Sequence, residues 1–230
     1  RTITYKMADG SKAPEGTSQT LHYTASKVID KVTGKVLETE TKWSANQDFK
    51  DVDSPSVKGY TPDPKTVSNK NVAHDAKDID VVVTYNTDAQ KASVTYVDET
   101  TGKTLKTDSL TGVTNAESGY TTADSIKTYQ ALGYTLVSDD TNGAKVVFDN
   151  EDGKDQAFKV KLSHGTITVT EEKPGKPGEP VDPDNPDGPK YPDGTDKASL
   201  GKDVVRTITY KMADGSKAPE GTSQTLHYTA

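Results

Sequence analysis

Arg1 to Ala25, RTITYKMADGSKAPEGTSQTLHYTA, returns without a change as Arg206 to Ala230. The two copies lie 205 positions apart, far more than one turn of an ankyrin or leucine-rich solenoid. The repeated object is therefore a multi-domain module, and the chain holds one full period plus the opening of the next. An unaltered copy of this length is expected of a piece of a longer tandem array, with any signal peptide or wall anchor lying outside it.

Two domains fit in 230 residues, but only 30% of the chain is hydrophobic, so their cores have to be small. The apolar residues are mainly Val, Ile, Leu and Tyr set among Thr, which suits sheets with one wet face. A net charge of −7 argues against nucleic acid, which calls for a basic patch that neutralises phosphates. No run of 18 apolar residues is present, so no membrane insertion is expected. Cysteine is absent, which excludes disulfides and thiolate metal sites.

Alternation sets out the strands. Ile3, Tyr5 and Met7 share one face of a half-buried strand, and Leu21 and Tyr23 share a face of the next. Val28 to Leu37 reads as a hairpin turning at Thr33-Gly34. Ser44 with Gln47 makes a capping box that predicts a short helix carrying Phe49 and Val52 inward. Ile79, Val81, Val83 and Tyr85, with Val82 between them, read as a central strand. The second unit repeats the layout: Ala92, Val94 and Tyr96 alternate, Thr101-Gly102-Lys103 turns, and Thr104-Leu105 begins the return. Thr121 with Asp124 predicts a helix through Ile126, Tyr129 and Leu132 that ends at Gly133. Thr135 to Val137 and Phe158, Val160, Leu162 then supply strands, with Val146 to Phe148 as a short one between them. Hairpin, helix, then strands is the order of a β-grasp. The expected fold class is α+β and strand-rich, with β-grasp domains at 1–87 and 88–170, a proline-rich connector at 171–205, and the opening of a further domain at 206–230.

In the connector, Pro174, Pro177, Pro180, Pro183, Pro186, Pro189 and Pro192 recur at every third position, the period of a polyproline II helix. Glycine does not hold that period, so collagen is excluded. The expectation is a stiff spacer on the order of 60 Å long at ~3.1 Å per residue; the alternative is a disordered linker. The two domains and the spacer together predict an elongated bead-and-rod arrangement.

The parts of an active site are missing. His22, His74, His164 and His227 have no second His or Cys at ligand spacing, and there is no nucleophile elbow, P-loop or dinucleotide fingerprint. No enzyme is expected. Two binding signals remain. Asp149, Glu151, Asp152 and Asp155 crowd oxygen ligands around Gly153 and are candidates for calcium, against the plainer reading of a solvated acidic turn. Tyr60, Tyr120 and Tyr134, each beside or near Gly, are candidates to stack on sugar rings, against core filling.

The strings QKASVTYVDETTGKTL, GYTLVSD, DQAFKVKLSHGTITV, PDGPKYPDGTD and VVRTITY resemble the mucus-binding repeats of lactobacilli, tandem modules of large surface adhesins. The resemblance runs through the whole chain. It implies an extracellular, cell-wall-anchored protein whose paired β-grasp domains bind mucin glycoproteins, some members also binding immunoglobulins. It fixes no ligand-contacting residue. The expected mechanism is weak binding per module strengthened by copy number; the rivals are a structural stalk and immunoglobulin capture at a sheet edge. The second copy, 206–230, has apolar faces without the strands that would cover them. It is expected to be poorly ordered or exchanged onto a neighbouring chain in place of 1–25.

Overall fold

The computed structural model describes residues 1–230. Its elements are β1 (Thr2–Met7), β2 (Thr17–Ser18), β3 (Ala25–Ile29), β4 (Val36–Trp43), β5 (Val52–Asp53), β6 (Tyr60–Asp63), β7 (Thr66–Val67), β8 (Asp80–Thr87), β9 (Ala89–Asp98), β10 (Lys103–Val113), α1 (Ala123–Ala131), β11 (Tyr134–Asp139), β12 (Gln156–His164), α2 (Lys197–Leu200), β13 (Gly201–Ile208) and β14 (Thr222–Thr229). The chain is strand-rich with little helix, and no helix is long and apolar enough to cross a membrane. It divides into two units, residues 1–94, 107–120 and 144–158, and residues 95–106, 121–143 and 159–230.

In the first unit the alternation of β1 places Ile3, Tyr5 and Met7 in a core with Tyr60, Val67, Val83 and Tyr85. β1 runs parallel to β8, with Ile3 opposite Val81, Tyr5 opposite Val83 and Met7 opposite Tyr85. The sheet order is β2-β1-β8-β6, so β8 is internal as its sequence predicts. Val82 is exposed, because only one face of that sheet is covered. β3 and β4 form a separate hairpin. The Asp30 carboxylate accepts the N–H groups of Val32 and Thr33 at its tip, and Gly34 takes the left-handed conformation there.

Residues 44–51 carry no helix, contrary to the capping-box expectation. The polar groups that would cap it are used across the chain instead. The Ser44 hydroxyl accepts the Thr24 N–H (3.3 Å), and the Gln47 and Val72 backbones exchange both hydrogen bonds (2.9 and 2.8 Å). Phe49 still points inward and is buried, under the Arg1 guanidinium at 4.8 Å. The apolar spacing gave the right direction in a different backbone.

The second sheet has the order β10-β9-β12-β11. Ala92, Val94, Tyr96, Val160 and Leu162 are buried in alternation, as predicted. Val146 and Phe148 are buried too, although 146–148 contributes only an isolated bridge, between Glu117 and Val147. α1 forms where the spacing placed it and gives way to Gly133 at φ 89°. Its capping box does not form. The N-cap is Thr122, whose hydroxyl donates to Asp139 (2.6 Å) and caps nothing. Leu132 is exposed, whereas Ile126 is buried.

The proline-rich connector is not an extended rod. It doubles back: Gly175 N–H donates to Thr195 (2.8 Å), Gly178 to Tyr191 (3.0 Å) and Val181 to Pro189 (2.8 Å), with turns through Asn185 and Gly188. A proline at every third position removes one donor in three and leaves the other two free to pair. Gly175 makes room for Tyr191, whose ring lies where a Cβ would sit, at 2.5 Å. The second copy, 206–230, is paired as well: β14 runs antiparallel to β13, which begins five residues before the copy.

Candidate ligand-binding site

Glycine-tyrosine pairs open two strands in corresponding places, and the fold treats them oppositely. Tyr60 opens β6 and is buried; its hydroxyl donates to Asp9 (2.6 Å) and accepts from Asn115 (2.9 Å). That bond, ahead of those from Ser11, holds the Asp9 carboxyl below the usual carboxylate range. No ring face of Tyr60 is left for a sugar. The Tyr120 ring is half-buried, its hydroxyl donating to Asp108 (2.6 Å).

Three of the four acidic candidates turn to separate protein partners. Gly59 N–H donates to Asp152 (3.2 Å), Gln90 donates to its other oxygen (3.2 Å), and Glu151 pairs with Lys58. Asp149 accepts the Glu151 N–H (3.1 Å), closing the turn locally. Asp155 is exposed, and the Lys154 side chain shares the same shallow depression. No group of three carboxylate or imidazole side chains in the protein is placed to hold a metal ion. The loop serves as a fastener: 149–155 packs on the Gly59 turn.

Tyr134 is different. It opens β11 half-buried, edge-on to Tyr129 (centroids 5.8 Å, 79°) and to His164 (5.4 Å, 78°). His164 closes β12, and its Nε2 lies 3.0 Å from the Asp98 carboxylate, whose side chain is buried. Asp98 also accepts the Thr101 hydroxyl (2.6 Å) and the Thr100 and Thr101 N–H groups. The Thr101 bond leads in keeping its carboxyl below the usual range, with His164 adding to it against the effect of burial. An acceptor fixed in this way orients the imidazole, and the imidazole orients the Tyr134 ring. The ring borders a cleft of about 460 Å³ with Leu132, His164, and Val181, Asp182 and Asn185 of the doubled-back connector.

Flat aromatic walls beside a carboxylate and a carboxamide suit a ligand with apolar C–H faces and many hydroxyls, which describes a sugar. Of the three tyrosines named from sequence, only Tyr134 borders such a cleft. Sequence reasoning missed His164, Asp98 and the connector wall. The one signal for Asp98 was its position before Thr101-Gly102, where a carboxylate caps a hairpin turn.

A sequence profile described as a mucin binding domain matches residues 90–164, and one described as a Muc B2-like domain matches residues 1–89. No curated protein matches the chain. Among solved structures, a type 2 repeat of the mucus binding protein MUB from Lactobacillus reuteri is 31% identical over 61% of this chain and 65% of that one, with a TM-score of 0.34. The chain thus spans about 65% of that repeat's length. The crystal structure of Mub-RV is 29% identical over 60% of each chain, with a TM-score of 0.39. The MucBP domain of an adhesion protein from Pediococcus pentosaceus is 33% identical over 38% of this chain and 94% of that domain, with a TM-score of 0.32.

Proposed function

Because this chain belongs to the mucus-binding repeat family, whose members are adhesion domains and not enzymes, we propose that it binds the glycans of mucin glycoproteins at the Tyr134 cleft. The observation that carries this reading is the cleft itself: an aromatic wall set by Asp98 through His164, within and beside the segment matched by the mucin binding domain profile. Each site is shallow, so affinity comes from repetition of the module on the outside of the cell. The β10-β9-β12-β11 order, with α1 between β10 and β11, supports a β-grasp reading of residues 90–164.

The test passes mucin, deglycosylated mucin and immunoglobulin over the immobilised chain. Mucin is retained, deglycosylated mucin is not, and Tyr134→Ala weakens retention on the order of tenfold, the equivalent of ~1.4 kcal/mol. Retention of immunoglobulin alone would favour edge-strand capture, and retention of nothing would favour a stalk.

Exchange of residues 206–230 onto a second chain has little to drive it. Each chain offers one β8 and two identical strands to seat on it. An exchange therefore covers no additional apolar surface, while association still loses translational and rotational freedom.

A further inference from the structure

We propose that Trp43 and His74 form a second saccharide platform, on residues 1–89, which stacks on the apolar face of one pyranose ring. It rests on the glycan-binding reading above and adds a point of attachment on a different domain.

Trp43 is the one tryptophan of the chain. It closes β4, with its backbone paired to Ala25 across the hairpin. Nearly half of it, 48%, is in water. A side chain of this size is normally among the first to be buried, so a half-exposed indole at a fixed strand end is informative. It is also held in place. The His74 ring lies parallel to the indole, centroids 4.5 Å apart at 17°, so the proposed ligand meets the part of the indole that stays in water. A ring already immobilised by its neighbour loses little freedom on binding.

His74 joins this platform to a cleft of about 210 Å³ that it lines with Thr20, Leu21, Tyr23, Lys77 and Asp78. The cleft is smaller than the ~300–1,000 Å³ that accommodates drug-sized ligands, which suits a single sugar residue. Tyr23 is a fixed wall, its hydroxyl donating to the Val72 carbonyl at 2.6 Å. Lys77, Asp78 and Thr20 offer donors and acceptors within reach of ring hydroxyls. An aromatic face for C–H groups and a polar rim for hydroxyls match the two sides of a pyranose.

A lone indole makes intrinsic fluorescence a direct reporter for the intact chain. Titration with the methyl glycosides of galactose, N-acetylgalactosamine and N-acetylglucosamine is expected to give a saturable emission change with at least one of them. Saturation-transfer NMR should carry magnetisation from the indole to that sugar. His74→Ala, which keeps the reporter, abolishes the emission change. Trp43→Ala weakens retention on immobilised mucin roughly three- to tenfold. Tyr134→Ala leaves the emission change intact. If no glycoside alters the emission up to ~100 mM, a concentration that detects binding far weaker than millimolar, and Trp43→Ala retains mucin as well as the wild type, the platform is wrong and the adhesin reading survives. If the wild type retains no mucin, the adhesin reading fails, and the glycoside titration alone decides the platform.

Discussion

At Gly59 the chain turns with φ 77°, and a Cβ there would sit 2.7 Å from Asn150 Cβ and 2.8 Å from the Thr114 side chain. Gly102 turns the second hairpin at a similar φ, 73°, but faces open space. Gly102→Ala should therefore lose only the left-handed backbone penalty, ~1–2 kcal/mol. Gly59→Ala should lose at least ~1 kcal/mol more, from overpacking against Asn150 and Thr114. Urea denaturation of the two variants measures the difference, and equal losses would mean that neither Asn150 nor Thr114 closes on that turn. The letters Gly-Tyr-Thr occur at both 59–61 and 133–135. Only what lands on them distinguishes the two, since Tyr60 is covered and Tyr134 borders a cleft. Likewise the density of acids at 149–155 was legible, but their direction was not. Carboxylates turn toward whichever N–H or ammonium is near, and here those are Gly59, Gln90 and Lys58, far away in sequence.

Among the elements, β14 is fastened by a group that titrates. His227 lies 2.6 Å from Glu171 through Nε2 and 2.6 Å from Asp203 on β13 through Nδ1. Two carboxylate acceptors need two N–H donors, which only the imidazolium supplies. The pKa of His227 is raised, by Glu171 first and then Asp203. Loss of water around the ring works against that rise without cancelling it. A raised histidine pKa means that the stabilisation is complete below the unfolded value near 6.5 and is lost as pH rises through the folded value. Amide protection factors in β14 are therefore expected to fall on alkaline titration, and His227→Gln should make them independent of pH. Unchanged protection in the wild type across that range would show that the fastening contributes nothing. Elements whose pattern lies within their own segment were readable: period-two alternation marked β1, β8 and β9, and helical spacing marked α1. The expected helix at 44–52 failed because Ser44 and Gln47 found partners in 22–24 and 72. The connector's three-residue period was visible, but its reversal was not, because period says nothing about which N–H meets which carbonyl.

On the scale of the whole molecule, the duplicated 25 residues amount to a controlled experiment. Both copies turn at Asp-Gly-Ser in the same way, with Asp9 accepting from Ser11 and Asp214 from Ser216, and Gly10 and Gly215 at φ 78° and 76°. Both put arginine on glutamine, Arg1 on Gln19 and Arg206 on Gln224. Both keep one register, Ile3 opposite Thr17 and Ile208 opposite Thr222. Burial differs: Ile3, Tyr5 and Met7 are in a core, while Tyr210 and Met212 are nearly half exposed and Ile208 is only partly buried. Ile3→Ala should therefore destabilise the fold by ~2–5 kcal/mol, and Ile208→Ala, the same letter change, by no more than ~1 kcal/mol, the central value for point substitutions. Calorimetry of the two variants measures this, and equal losses would mean that the second copy is packed like the first. The sequence by itself determined the turns, the register of near neighbours and the alternation of faces, because these depend on residues within about twenty positions. Only the tertiary structure decided which face is covered. Burial of Ile3, Tyr5 and Met7 requires β8, almost eighty residues downstream, and a stretch of chain carries no record of whether such a partner will reach it.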